Sequence, residues 1–128
     1  MTFQSCTPLL NVGSIERSLG FWRDLVGFEV VGKFEEAGVL RWIRLRSGDV
    51  DLMLNAPDKV RGKARAVPDT YTDAVLYFAV PSVQAMCEVL RAKGFDAPDP
   101  KTEDYGVEEV LLRDPDGYEV AFTSPTAG

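Results

Sequence analysis

The chain reads as two halves with the same order of parts, and that repeat narrows the fold more than any other feature. The first half begins with an extended apolar stretch, Pro8-Leu9-Leu10-Asn11-Val12, and runs into a helical segment over Ser14–Val26. Ile15, Leu19, Trp22 and Leu25-Val26 form an apolar stripe at helical spacing. Ser14 is placed to cap the helix, although Arg17 at the third position leaves the capping box incomplete. Gly27 supplies the stop. Strands follow over Phe28–Val31, Val39–Arg46 and Val50–Leu54, the last two joined at Ser47-Gly48-Asp49. The second half repeats this: a strand over Ala74–Val80, a helix over Ser82–Lys93, Gly94 as stop, and a strand starting at Phe95-Asp96-Ala97. Strands over Val107–Arg113 and Glu119–Thr123 close it, joined by Asp114-Pro115-Asp116-Gly117. Gly27 and Gly94 lie 67 residues apart, Gly48 and Gly117 69 apart. The near-constant offset predicts an α+β fold of two tandem βαβββ units.

Between the halves the composition changes. Residues 56–73 hold Pro57, Gly62 and Pro68 and a basic run, Lys59, Arg61, Lys63 and Arg65. The segment reads as a linker between repeat one (residues 5–55) and repeat two (74–124) of a single domain spanning 1–128. The basic run is expected to be a solvated loop first, and a flap over an anionic ligand or a neighbouring subunit second.

Composition removes whole classes of function. Among 128 residues there is no histidine. Imidazole is the usual general base near neutral pH and the commonest metal ligand, so Ser-His and Cys-His nucleophilic schemes and imidazole metal sites are excluded. The net charge of −6 disfavours nucleic acid, which needs a basic footprint. No apolar run approaches the ~20 residues needed to cross a bilayer, so no membrane span is expected. The N-terminus lacks the pattern of a secretory signal. Two cysteines, Cys6 and Cys87, do not make a disulfide framework and read as buried reduced thiols, which with the rest points to the cytoplasm.

Two motifs carry a likeness to a known family. The segment from Val12 to Glu29, with Ser14, Phe21-Trp22 and Leu25-Val26-Gly27-Phe28, resembles the opening of the vicinal oxygen chelate superfamily, which includes glyoxalase I, extradiol dioxygenases, fosfomycin-resistance enzymes and bleomycin-resistance proteins. Arg113-Asp114-Pro115-Asp116-Gly117-Tyr118 resembles that family's turn near the C-terminus. Taken with the repeat, the resemblance covers nearly the whole chain, and the bleomycin-resistance-like proteins are closest in character. It implies a curved sheet around a cup, helices outside, and metal ligands on the first and fourth strands of each unit. Projected onto this chain, those positions carry Thr7, Met53, Val75 and Ala121. Zinc and iron want imidazole, carboxylate or thiolate, so no metal, no cofactor and no catalytic residue is assigned. Asp114 and Asp116 read as turn residues rather than as a carboxylate pair, and Phe21, Trp22 and Phe28 as core.

Strand alternation sorts what lines the cup. With Leu10 and Val12 facing the helix, the other face receives Leu9 and Asn11; Leu40, Trp42, Arg44, Asp51 and Met53 follow by the same parity. The second half contributes Tyr77, Glu109, Leu111 and Glu119. Apolar walls with sparse polar groups suit a small organic ligand, aromatic or cationic. Trp42 is the candidate stacking surface, and Arg44 either binds a ligand carboxylate or pairs with Glu109 or Glu119. Tyr71 and Tyr105 lie in loops near the rim. Three functions stand: a metal-independent small-molecule binder that sequesters a drug or metabolite, as in bleomycin resistance; a metal-dependent lyase, isomerase or dioxygenase; and a regulatory or partner-binding module. A homodimer is expected, side by side or by exchange of units, because free sheet edges need cover.

Overall fold

A computed structural model describes residues 1–57, 74–103 and 105–126, and the chain divides into two compact units, Met1–Arg65 and Ala66–Gly128. The linker from residue 58 to 73, with its basic run and Tyr71, lies outside the described residues. The first unit contains β1 (Leu9–Asn11), α1 (Ile15–Leu19), a π-helical turn (Gly20–Leu25), β2 (Glu29–Glu36), β3 (Val39–Ser47) and β4 (Val50–Asn55). The second contains β5 (Val75–Ala79), α2 (Val83–Ala92), β6 (Lys101–Thr102), β7 (Val107–Arg113) and β8 (Glu119–Pro125).

Each unit makes one four-stranded mixed sheet, ordered β1-β4-β3-β2 and β5-β8-β7-β6. The first strand of each runs parallel to the fourth, and the other neighbours are antiparallel. Leu9 aligns with Met53 and Tyr77 with Ala121, so the same register recurs one repeat later. The fold is α+β, built from two βαβββ units.

The two helices start alike. Ser14 Oγ accepts the Arg17 amide at 3.3 Å, and Ser82 Oγ accepts the Ala85 amide at 3.1 Å. Both are N-caps that satisfy an otherwise orphaned donor. Ser124 Oγ, reaching from β8, accepts the Val83 amide at 2.9 Å as well. Gly27 and Gly94, after the helical segments, adopt φ of +94° and +88°, a conformation costly for any residue with a β-carbon.

Alternation holds along the central strands. In the first unit Leu10, Ile43, Leu45, Leu52 and Leu54 are buried under the helical segment together with Ile15, Leu19 and Trp22. In the second, Val110, Leu112, Val120 and Phe122 are buried with Val83, Cys87 and Leu90 of α2. Burial pushes the Cys87 thiol pKa up, as expected for an inert core thiol, whereas Cys6, also expected to be buried, is exposed ahead of β1. Asp114 is buried and structural: its Oδ1 accepts the amides of Asp116 (3.0 Å) and Tyr118 (2.8 Å).

Three local expectations are corrected. The helix over Ser14–Val26 is α only to Leu19; the Val26 amide then reaches back five residues to Phe21 O, at 2.9 Å. A wider π turn carries more residues per turn than an α-helix, and here both Phe21 and Trp22, adjacent in sequence, are buried (4% and 0% exposed). The strand at Phe28–Val31 begins at Glu29 and runs on to Glu36, because a two-residue turn at Ala37-Gly38, with φ of +52° and +78°, folds it onto β3. No strand starts at Phe95-Asp96-Ala97. The Phe95 amide bonds to Leu90 O, and Arg91 Nε and Nη2 both donate to Ala97 O, so this stretch wraps the end of α2. Pro98 and Pro100 lack the ladder donor, and pairing resumes only at Lys101.

Candidate ligand-binding faces

In the first unit the face of the sheet turned away from the helical segment is built in rows. Leu9, Met53, Arg44 and Gly32 align across β1, β4, β3 and β2; Asn11, Asn55, Trp42 and Phe34 form the next row. Leu9, Asn11, Trp42, Arg44 and Met53, all expected at the site, therefore share one face. Leu9 is 46% exposed where its neighbour Leu10 is 8%. Asn55 Nδ2 donates to Asn11 Oδ1 at 3.1 Å, closing one end of the face with a neutral pair.

Trp42 is half-buried and lies over β2. A β-carbon at Gly32 would sit 3.4 Å from its Cη2 and Cζ3 atoms, so the bare glycine backbone gives the ring room. Phe34, 54% exposed, stands directly across from Trp42. Trp42 and Phe34 form an aromatic pair on this face, with Leu9 exposed on the far strand β1. Phe34 was not among the expected site residues.

Arg44 finds hydrogen-bond partners within the first unit. Its Nε donates to Asp51 Oδ2 at 2.7 Å, while Nη1 lies 3.8 Å from Met53 Sδ and Nη2 3.4 Å from Thr7 Oγ1. Arg46 completes the cluster, with Nε on Asp51 Oδ1 at 2.7 Å and Nη2 on Oδ2 at 3.0 Å. Hydrogen bonds from Arg46 and then Arg44 hold the Asp51 carboxyl down at about 2. A carboxyl whose pKa is lower folded than unfolded contributes stability above its unfolded value and loses it as pH falls through the folded one. The window here runs from about pH 4 down to about pH 2. Acidification across it is expected to lower the melting temperature more steeply for the wild type than for Asp51→Asn. Parallel slopes would mean that the cluster does not form in solution.

The second unit shows the same face with different chemistry. Tyr77, Leu111 and Glu119 lie on it, Tyr77 aligned with Ala121, which aligns in turn with Leu111; Glu109 follows two residues before Leu111. Tyr77 is 61% exposed and Tyr105, in the loop before β7, is 69% exposed. Arg113 Nη2 pairs with Glu119 Oε1 at 3.3 Å, and the two stand opposite each other as Arg46 and Asp51 do. Each repeat thus carries an arginine–carboxylate pair at the same place. Leu111 occupies the position that Arg44 holds in the first unit, so Glu119 has no second arginine. Its Oε2, like Glu109 Oε1, is buried without a hydrogen-bond partner among the described residues.

A family model for the Glyoxalase/Bleomycin resistance protein/Dioxygenase superfamily matches residues 3–122, and the chain belongs to this superfamily. Solved structures with the same fold include TnmS3, an antibiotic-binding protein from Streptomyces sp. CB03234, at 20% identity and a TM-score of 0.69, covering 98% of this chain and 100% of that one. TioX from Micromonospora sp. ML1 is 18% identical with a TM-score of 0.70, covering 98% of both chains. Lactoylglutathione lyase from Agrobacterium tumefaciens is 18% identical with a TM-score of 0.67, over 97% of this chain and 96% of that one. No curated protein sequence matches.

The donors at the projected metal positions do not fit a zinc or iron centre. Thr7, Met53, Val75 and Ala121 provide no imidazole, carboxylate or thiolate. Among the described residues, no three His, Cys, Asp or Glu side chains gather where they would hold a metal ion. Nor is any helix of the described residues long and apolar enough to cross a membrane.

Proposed function

We propose that this chain is a metal-independent binding protein that sequesters a small organic molecule, and that Trp42 is its principal stacking surface. The observation that carries the reading is the half-buried Trp42 ring laid over Gly32, with the exposed Phe34 across from it. An aromatic ring held on a sheet face away from the core offers a planar ligand an offset stack. Leu9 and Met53 extend the apolar wall, and Asn11 and Arg44 supply the sparse polar groups that orient a ligand. Tyr77, Glu109, Leu111 and Glu119 are the contribution we assign to the second repeat. The likeness to an antibiotic-binding protein supports this reading, while the equal likeness to a lyase shows that the fold alone does not choose between binding and catalysis. Binding of planar aromatic compounds that is lost in Trp42→Ala is the test.

A homodimer is part of the proposal. β2 is an edge strand of eight residues, and Val30, Val31 and Phe34 on it are all exposed. An edge of this length, with three exposed apolar side chains among its charged ones, calls for cover. Sedimentation equilibrium is expected to give twice the 14.1 kDa chain mass at micromolar concentration, and a clean monomer at high micromolar concentration would contradict it. We assign the protein to the cytoplasm; Cys6 and Cys87 are both free thiols, which a reducing compartment preserves.

A further inference from the structure

Beside the aromatic pair, the first unit opens into a depression of about 530 Å³ whose walls mix polar and apolar groups. Arg44 and Arg46 line it together with Gln4, Ser5 and Thr7. Two aspartates line it as well, Asp51 and the exposed Asp49 of the β3–β4 turn, so formal charge alone does not choose a ligand. The hydrogen bonds do. Both oxygens of Asp51 are already occupied by guanidinium donors. Arg44 spends only its Nε on that carboxylate. Its two Nη groups face a thioether at 3.8 Å and a hydroxyl at 3.4 Å, both neutral and at long range. A guanidinium keeps its charge and presents five donors in a rigid fork, and its strongest partners are carboxylate and phosphate oxygens. Asp51 takes only the Nε position of the fork, and among the described residues its Nη edge meets no charged acceptor.

We infer that Arg44, assisted by Arg46, is a subsite for the anionic group of the ligand, so that the bound molecule is a planar ring bearing a carboxylate or a phosphate. This rests on the stacking role proposed for Trp42, which lies two residues away on the same strand and the same face. The net charge of −6 suits a cation, but it acts through the long-range field, and contact chemistry at the face decides which group docks. The internal repeat sharpens the point: where the second unit has Leu111, only the first unit has an arginine.

The test compares naphthoate, naphthyl phosphate, neutral naphthylmethanol and naphthylmethylammonium by calorimetric titration. Wild type is expected to bind one of the two anions about tenfold tighter than the alcohol, and the tighter of them names the anion class. Arg44→Gln, checked for native circular dichroism, is expected to bind anion and alcohol alike. Asp51→Asn is the second variant and works in the opposite direction. Removing the competing carboxylate is expected to tighten anion binding several-fold, whereas a purely structural cluster would weaken it. An anion bound no tighter than the alcohol, a preference for the ammonium, or weaker anion binding in Asp51→Asn overturns the subsite. Failure of the stacking role reads differently: anion preference would survive while Trp42→Ala left all four affinities unchanged. Inorganic phosphate separates the two further. At low millimolar concentration it is expected to raise the melting temperature of wild type and Trp42→Ala equally, and of Arg44→Gln less; an equal rise in all three contradicts the subsite.

Discussion

Trp22→Ala is expected to destabilise the protein by about 3–5 kcal/mol, the range for removing a large buried aromatic. The side chain is fully buried. Its ring meets Phe21 edge-on at 5.1 Å between centroids and Phe28 edge-on at 5.8 Å, so truncation leaves a cavity and also removes two quadrupole-favoured contacts. The π-helical turn adds to the loss, since it is the backbone form in which Phe21 and Trp22 are buried side by side. For a domain of this size the melting temperature should fall by roughly 10–20 °C. Ligand affinity, measured below the transition, should stay close to that of wild type. A melt within a degree or two of wild type would show that the helical segment does not pack as described.

Trp42→Ala is expected to do the opposite. The ring is half-buried over Gly32 and outside the core, so stability should change by about 1 kcal/mol or less. The loss falls on binding: removing the stacking surface should weaken a planar ligand by about tenfold, equivalent to roughly 1.4 kcal/mol. Gly32→Val should reproduce part of that loss while keeping the indole, because a β-carbon there already reaches the ring at 3.4 Å and the valine methyls crowd it further. A Trp42→Ala variant that unfolds while retaining affinity would invert the assignment of faces.

Much of this was legible in the sequence because two simple periods govern it. The repeat offset predicts that the partner of Leu9 on β4 and the partner of Tyr77 on β8 are equivalent, and Met53 and Ala121 are indeed 68 residues apart. Alternation places Ile43 and Leu45 in the core and Trp42 and Arg44 opposite, and the burial follows it. What was missed lies where a period breaks. The register of β2 against β3 slips between Val30 and Gly32, so parity counted from Phe28 puts Phe34 on the wrong face and hides it from the site. A second slip skips Arg41 and sets Leu40, expected beside Trp42, opposite Glu35. The π turn is a third such break, since α-helical spacing contains no signal for an extra residue. The Arg46–Asp51 pair was within reach: both flank the Ser47–Val50 hairpin symmetrically, and residues placed so are cross-strand neighbours.

Fluorescence gives the most direct test of the central claim, because the chain has two tryptophans and they differ in exposure. Trp22 is fully buried, whereas Trp42 lies on the open face. Titrating planar aromatic compounds into wild type and Trp42→Phe isolates the second ring while leaving an aromatic in its place. The account predicts saturable quenching in the wild type that disappears in Trp42→Phe, with the buried indole left unresponsive. Quenching that persists in Trp42→Phe at the same half-saturation, or no quenching of the wild type by any compound in the panel, would contradict it.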